Sequence, residues 1–234
     1  MKNTFAAILL FFSLSELFAQ SSELGVFVGG SNYSGDLNSD VYTVKFIHPA
    51  VGLIYRHNWN PHYSFKSNVY YGTVSAYDVK SSDANLSFES TLIEGSAQIE
   101  FNFFPYEIGS IDLSPATPYV FTGLAGFYFN PKSENGAALQ PVQTEGVKYS
   151  LIQVAIPMGM GLKFLLGNFT LGLEAGARKT FTDYLDDVST IYVKTGRQRG
   201  NSQDKDWYMF GGITLTVKIS GKPKVHCDAF DRKY

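Results

Sequence analysis

Apolar positions alternate with small or polar positions along residues 149–185. One set of alternate positions is apolar throughout and comprises Val154, Ile156, Met158, Met160, Leu162 and Phe164. After a break at residues 166–168 the alternation resumes with Phe169, Leu171, Leu173, Ala175 and Ala177. A period of two residues interrupted by a short break predicts two strands joined by a tight turn. Because the opposite face is small, with few charges, the pattern is typical of a barrel with apolar side chains towards lipid and a narrow lumen.

The same kind of pattern recurs along the chain and predicts eight strands. They are expected at residues 23–33, 49–58, 63–77, 87–103, 117–130, 149–165, 169–183 and 207–219. Each is long enough for the roughly 9–11 residues that a tilted transmembrane strand needs. Short turns at 59–61 and 166–168 alternate with long polar loops, which is typical of outer-membrane barrels, although the connection at 104–116 is unusually long for its side. We therefore predict an all-β fold, an eight-stranded antiparallel transmembrane outer-membrane β-barrel.

Aromatic residues concentrate near both ends of the predicted strands. If odd-numbered strands run outwards, the periplasmic group comprises Phe65, Phe101, Phe103, Tyr119, Phe164 and Phe169. The outer group comprises Phe88, Phe127, Phe129, Phe181, Tyr184 and Trp207. Two such groups indicate the aromatic belts that mark the two interfaces of a membrane.

Charged residues of both signs fall on the positions predicted to face the lumen. We expect an ion-pair network of Arg56, Glu94, Glu100, Lys163, Glu174 and Arg178, with Lys66, Gln98 and Lys218 also facing inwards. Buried charges need partners, and Arg178 is expected to pair with Glu94 or Glu174. Eight strands leave a lumen that side chains can fill, which favours a plugged lumen over a conducting pore. Pro157 lies inside a predicted strand, so it is expected at a bulge or an unpaired position.

Three regions follow from composition and from the chain ends. Residues 1–19 have a positive start and a short apolar run, which predicts a secretory signal peptide; residues 20–220 form the barrel and 221–234 a periplasmic tail. The net charge of −2 argues against a nucleic-acid partner. No motif indicates a metal or another cofactor.

The tail and one connection supply the candidate contacts with a partner protein. The tail carries Lys222, Lys224, Phe230 and the only cysteine, Cys227. A lone thiol in an oxidising compartment is expected to be packed or bonded against a partner, although a disordered terminus is the alternative. Pro105 and Tyr106, in the long connection at 104–116, are further candidates.

One set of residues allows an enzymatic interpretation. His48, Ser75 and Glu89 would lie near the outer ends of their strands and could form the histidine, serine and carboxylate group of a lipid-modifying enzyme. Nothing in their spacing requires this arrangement, and histidines at a membrane interface are the simpler interpretation. We therefore expect a protein that is not an enzyme.

Several segments, in order, resemble the PorG family of Bacteroidetes outer-membrane proteins. They are residues 23–37, 103–106, 117–121 and 129–131, together with the ending that contains Cys227 and Phe230. The resemblance implies an anchor in the outer membrane for the periplasmic ring of the type IX secretion system. The ring would consist of a PorK- or GldK-like lipoprotein and a PorN- or GldN-like partner, which in gliding bacteria also serve motility.

Three functions therefore remain open at this point. The first is an outer-membrane anchor or scaffold for secretion machinery, in contact with outer-membrane lipid and with the ring proteins. The second is a general small barrel of the OmpA-like kind, for envelope integrity or for surface binding through its long loops. The third is the lipid-modifying enzyme.

Overall fold

The chain forms one closed antiparallel barrel. The computed structural model describes residues 21–34, 47–77, 87–106, 115–133, 150–181, 191–192, 197–198 and 206–220. The strands are β1 (Ser21–Ser34), β2 (His48–Asn58), β3 (Tyr63–Tyr77), β4 (Ser87–Asn102), β5 (Ala116–Ser133), β6 (Ile152–Leu166), β7 (Phe169–Thr180), β8 (Ile191–Tyr192), β9 (Arg197–Gln198) and β10 (Trp207–Ser220). The barrel order is β1-β10-β7-β6-β5-β4-β3-β2, which confirms the predicted fold class. Within these ranges, no helix has the length and apolar character needed to cross a membrane.

Strand bounds agree with the sequence predictions to within a few residues. β6 begins at Ile152 instead of residue 149, and β7 ends at Thr180 instead of residue 183. The short strands β8 and β9 pair with each other inside what the sequence predicted to be only a polar loop. The predicted signal peptide and tail lie outside the described residues.

The two ends of the barrel differ in their connections. Short turns join β2 to β3 and β6 to β7, and we call this the turn end; the opposite end is the loop end. In the β6–β7 turn, Gly167 has a φ of 66°, a conformation that glycine adopts without steric cost. β1 and β10 close the barrel, with a register irregularity between Ser22 and Glu23.

Side chains alternate between an exposed apolar wall and a buried interior. Exposed apolar residues on the wall include Leu24, Val26, Leu53, Val69, Ile93, Met160, Leu173 and Ile213. Charged residues of the same strands are buried inside, among them Arg56 and Glu174. The predicted inward face is therefore correct for these strands.

Strand β5 differs from the aromatic-belt prediction. The sequence placed Tyr119, Phe127 and Phe129 in the belts, but all three side chains are buried inside the barrel. Val120 and Leu124, at alternate positions of the same strand, are exposed instead. Both faces of β5 are apolar, so alternation alone could not identify the face that points to the lumen.

Pro157 lies at an interruption of the β5–β6 ladder. The ladder stops after the pair Thr122 with Met158 and resumes at the pair Ala125 with Ala155, in the same register. On its other side Pro157 keeps its place opposite Arg178 of β7. Of the two predicted alternatives, the structure has the unpaired position, as expected for a residue without a backbone N–H.

Strands β3, β4 and β5 extend beyond their neighbours at the loop end. The β2–β3 ladder ends at Val51 and Tyr71, whereas β3 and β4 remain paired up to Tyr77 and Ser87. Beyond the level of Tyr71, the outward-facing register positions of these strands change from apolar to polar and include Thr73, Ser75, Glu89, Thr91 and Asn130. This change marks the boundary of the apolar wall.

Candidate functional site: the filled lumen and the turn end

Glu100 is the centre of a buried charge cluster in the half of the lumen nearest the turn end. Its carboxylate accepts from Arg56 Nε at 2.8 Å and from Lys163 Nζ at 2.6 Å, and Lys66 Nζ lies 3.5 Å away. All four side chains are buried. The four residues come from β2, β3, β4 and β6, and their long side chains meet in the same part of the lumen.

The cluster continues to a carboxylate on each side. Arg56 Nη1 also donates to Glu23 at 2.8 Å, and Lys66 Nζ donates to Glu174 at 2.6 Å. Thr216 and Tyr119 hydroxyls donate to Glu23 and Glu174 at 2.6 and 2.7 Å, respectively. These hydroxyls satisfy lone pairs that the cations leave open, as buried carboxylates require.

Arg178 pairs with Glu94 in the half of the lumen nearest the loop end. Its Nε donates to Glu94 at 3.1 Å, and its Nη1 donates to the Gly176 carbonyl at 2.7 Å. The guanidinium carbon also lies 4.9 Å from the ring centre of Phe210. Between this pair and the Glu100 cluster, the side chain of Gln98 donates to Ser96.

The structure therefore brings together all six residues of the predicted network, in two groups. It adds Glu23 and Lys66, which the sequence prediction left out of the ion pairs. The sequence could have identified Glu23 as facing the lumen, because it shares a face of β1 with Gly25 and Phe27 at alternate positions. Lys218, also predicted to face inwards, is only half-buried. The paired cations and carboxylates balance in number: Arg56, Lys66, Lys163 and Arg178 against Glu23, Glu94, Glu100 and Glu174.

Aromatic rings fill the rest of the lumen. The rings of Phe27 and Tyr70 stack with centres 4.5 Å apart, and Tyr70 meets Phe210 edge-on at 5.2 Å. Nearer the loop end, the rings of Phe127 and Tyr208 lie 5.1 Å apart. In the described part of the chain, charge pairs and rings thus occupy the lumen at successive depths, which is the arrangement of a plugged barrel.

Tyr106 enters the lumen from the turn end. Its side chain is only 1% exposed, and its hydroxyl lies 3.0 Å from Glu23 and 2.6 Å from the Thr170 hydroxyl. Lys163 Nζ is 4.8 Å from the centre of its ring. Burial raises the pKa of the Tyr106 phenol, and the Glu23 carboxylate raises it further. The prediction that Tyr106 offers its side chain to a partner is therefore wrong: the ring belongs to the lumen.

Two segments at the turn end are fixed to each other. The Asn102 N–H donates to the His62 carbonyl at 2.7 Å, and the Tyr106 N–H donates to the Pro61 carbonyl at 2.9 Å. The Phe104 N–H donates to the Thr117 hydroxyl at 3.0 Å. We call residues 59–63 and 101–106 together the turn unit.

The turn unit leaves large apolar side chains exposed although its backbone is held. Phe103 and Phe104 are 52% and 51% exposed, and Trp59 is 41% exposed. Pro105, the other partner candidate in this segment, is half-buried. The remaining candidates, Lys222, Lys224, Cys227 and Phe230, lie outside the described residues.

Each described histidine makes a hydrogen bond at a rim of the barrel. His48 Nε2 lies 2.6 Å from Ser75 Oγ at the loop end. At the turn end, His57 Nδ1 lies 2.9 Å from Ser22 Oγ, and His62 Nδ1 lies 2.9 Å from the Asn102 carbonyl. His48 and Ser75, two of the three residues of the enzymatic interpretation, are thus in contact. Among the described residues, no group of three metal-ligating side chains is close enough to hold an ion.

Comparison with known proteins identifies a family model and a set of folds. The model described as "Domain of unknown function (DUF6089)" matches residues 2–229. No curated protein matches the sequence.

Solved structures with a similar fold share little sequence. A major outer membrane protein from Thermus thermophilus is 11% identical, with a TM-score of 0.46 and coverage of 86% of this chain and 100% of that one. Neisserial surface protein A is 12% identical, with a TM-score of 0.45 and coverage of 86% of this chain and 97% of that one. Ail of Yersinia pestis, in complex with the heparin analogue sucrose octasulfate, is 13% identical, with a TM-score of 0.44 and coverage of 86% of this chain and 100% of that one. At such identities and TM-scores the likeness concerns the fold alone.

Proposed function

The chain belongs to the DUF6089 family, and we propose that it is an outer-membrane barrel that anchors a periplasmic protein assembly to the membrane. The turn end faces the periplasm and the loop end faces the outside. The resemblance to the PorG family suggests the assembly: the type IX secretion ring, with its PorK- or GldK-like lipoprotein and PorN- or GldN-like partner. In a gliding bacterium the same anchor serves motility.

The wall of the barrel supports residence in a membrane. Its outward residues between the two rims are largely apolar and exposed. In transmembrane barrels such a band is about 25 Å tall and is flanked by aromatic residues. Tyr71 and Tyr128 are exposed where the wall turns polar near the loop end, and Phe169 is exposed at the turn end. This arrangement suits a bilayer, with outer-membrane lipid as the first partner.

The main support for the anchoring role is the turn unit, which is uncharged, aromatic and held in place by backbone hydrogen bonds. Residues 59–63 and 101–106 contain no Asp, Glu, Lys or Arg, and cores of protein interfaces are depleted in charge and enriched in aromatic residues. Its backbone is already held by hydrogen bonds between the two segments, so a partner would order little on binding. Pre-organised aromatic anchors are the residues that most often dominate binding energy.

The tail would reach the same partner. β10 ends at Ser220 at the turn end, so residues 221–234 start on the side that carries the turn unit. Lys222 and Lys224 suit acidic groups of the partner, while Phe230 and Cys227 suit an apolar pocket or, for the thiol, a disulfide. We propose the tail as the second contact.

Affinity purification in mild detergent tests the anchoring role. The wild-type barrel should bring periplasmic ring proteins with it, and a chain with Phe103→Ser and Phe104→Ser should bring at least about tenfold less, because a hot spot contributes about 2 kcal/mol or more. Phe181→Ser is the matched control, since Phe181 is equally exposed but lies at the loop end. Heat-modifiability on gels checks that each variant is folded.

Truncation after Gly221 separates the tail from the turn unit. Loss of partners on truncation, with the barrel still folded, assigns the contact to the tail. Cys227→Ser distinguishes packing from a disulfide, because only a disulfide gives a complex that is reducible on gels. A wild-type barrel that co-purifies with no periplasmic protein would contradict the anchoring role and favour a general small barrel.

A further inference from the structure

A serine and a histidine are in contact at the loop end, away from both the lumen network and the turn unit. Ser75 Oγ and His48 Nε2 are 2.6 Å apart, within the distance at which a base accepts the proton of a nucleophile. From this contact and its surroundings we infer that Ser75 and His48 are the nucleophile and base of a site that cleaves acyl esters of outer-leaflet amphiphiles. This activity is separate from the anchoring role.

The contact arises where the barrel wall is split. The β2–β3 ladder ends at Val51 and Tyr71 although both strands continue. Pro49, in the next part of β2, has no N–H to continue the ladder. Across the split, Ser31 Oγ donates to the Thr73 carbonyl at 2.6 Å. The gap leaves room for His48 to reach Ser75 on the neighbouring strand.

The surroundings indicate an amphiphilic substrate. Ser75 lies one alternation beyond the level at which the wall changes from apolar to polar, where the headgroups of the outer leaflet would lie. Three exposed apolar side chains are nearby in the fold: Val51 and Tyr71 form the last pair of the β2–β3 ladder, and Ile47 directly precedes His48. Such side chains are suited to contact acyl chains. Glu89 stands opposite Ser75 in the β3–β4 ladder and is exposed, so a carboxylate lies on the same side of the wall.

The serine–histidine contact at the turn end lacks these features. Ser22 Oγ is shared between His57 Nδ1 and the Tyr55 hydroxyl. The nearest carboxylate in sequence, Glu23, is inside the lumen and bound to Arg56. In serine triads the base uses Nε2 and leaves Nδ1 for an orienting acceptor. The His48 contact uses Nε2, whereas the His57 contact uses Nδ1.

The reaction uses only the pair, the ester and water. Ser75 Oγ attacks the carbonyl carbon while its proton passes to His48 Nε2. The carbon–oxygen bond to the alcohol then breaks, and the alcohol leaves with that proton, so that the acyl group remains on Ser75. Water attacks the acyl carbon and gives a proton to His48, which returns it to Ser75 Oγ as the carboxylic acid leaves.

A serine-directed probe tests the assignment on the full chain, folded in detergent micelles. Because Ser75 is only 3% exposed, a small alkynyl fluorophosphonate is used, and the labelled residue is located by mass spectrometry. We expect covalent labelling at Ser75. His48→Gln should slow it at least about 100-fold, which is the usual contribution of a general base, and Ser75→Ala should abolish it.

Ser22→Ala is the control, because among the described residues it removes the second serine in contact with a histidine and should leave labelling unchanged. The wild-type measurement identifies the reactive residue even if a variant fails to fold. No label on Ser75 in the folded wild-type chain, or an unchanged rate in folded His48→Gln, overturns the assignment. The pair would then only hold the split wall together.

Discussion

At the scale of single residues, Glu100 makes the largest number of ion pairs in the described part of the lumen. Three cations lie within 3.5 Å of its carboxylate, so its loss would leave several buried charges with fewer partners. Glu94 serves only Arg178 among the described ion pairs. A buried charge that loses its partner is costly, whereas loss of both members can be nearly neutral.

The Glu94–Arg178 pair allows a clean test of this asymmetry. Glu94→Gln and Arg178→Met should each lower the free energy of unfolding by about 3–5 kcal/mol, because each leaves one charge unpaired. The double variant should lose less than the sum of the two. Urea unfolding of the detergent-refolded barrel measures all three. Strictly additive losses would mean that water, and not the partner, stabilises each charge.

Tyr106→Phe tests the hydroxyl that enters from the turn end. The ring would still fill its place, but Glu23 and Thr170 would lose a partner. Hydrogen bonds to charged groups contribute about 1.5–3 kcal/mol, and a loss of that size is expected in urea unfolding. Tyr71→Phe, on the exposed wall, is the control and should change stability by less than about 0.5 kcal/mol. Equal losses of stability for the two substitutions would show that the Tyr106 hydroxyl does not stabilise the lumen network.

At the scale of strands, alternation predicted the bounds of the barrel and the inward face wherever the two faces differ in polarity. β6 and β7 are such strands, since Lys163 and Glu174 alternate with exposed apolar residues. Alternation could not identify the inward face of β5, because both of its faces are apolar. Its inward face is apolar because aromatic rings, and not only charged side chains, fill the lumen. It also could not identify Tyr106, because the position of a connection depends on contacts between distant segments.

The pairing of charges was only partly predictable for a related reason. Alternation gives the face of a residue but not its height, which depends on the stagger between strands. The sequence therefore left Glu94 and Glu174 as equal partners for Arg178. In the structure β7 places Glu174 at the depth of Lys66, and Arg178, further along the same face, meets Glu94.

Charge on the outer wall tests the orientation of the strands. Met160 is 66% exposed in the middle of β6, so Met160→Arg should lower stability in lipid by about 2–4 kcal/mol. Asn130→Arg faces outwards beyond the apolar band and should cost about 0–1 kcal/mol. Unfolding in lipid vesicles, followed by tryptophan fluorescence, gives both values. Similar losses for the two variants would contradict the proposed position of the bilayer.

At the scale of the whole molecule, the proposed orientation can be tested on intact cells. In a Cys227→Ser background, Asn135→Cys is in a long connection and Asn168→Cys is in the β6–β7 turn. A membrane-impermeant maleimide should label the first on intact cells, and the second only after the outer membrane is permeabilised. Labelling in the reverse order would place the turn unit outside the cell and exclude a periplasmic partner for it.

Glu23 has a consequence for how the barrel folds. Its carboxylate is reached by Arg56 from the next strand, but also by Thr216, 193 positions further along the chain. Contacts between such distant positions form late, because the loop between them must first be closed. Until β1 meets β10, Glu23 lacks part of its set of partners and its charge favours water over lipid. In a bilayer an open sheet would therefore be unfavourable, and we expect closure of the barrel and its insertion to be coupled into a single cooperative step.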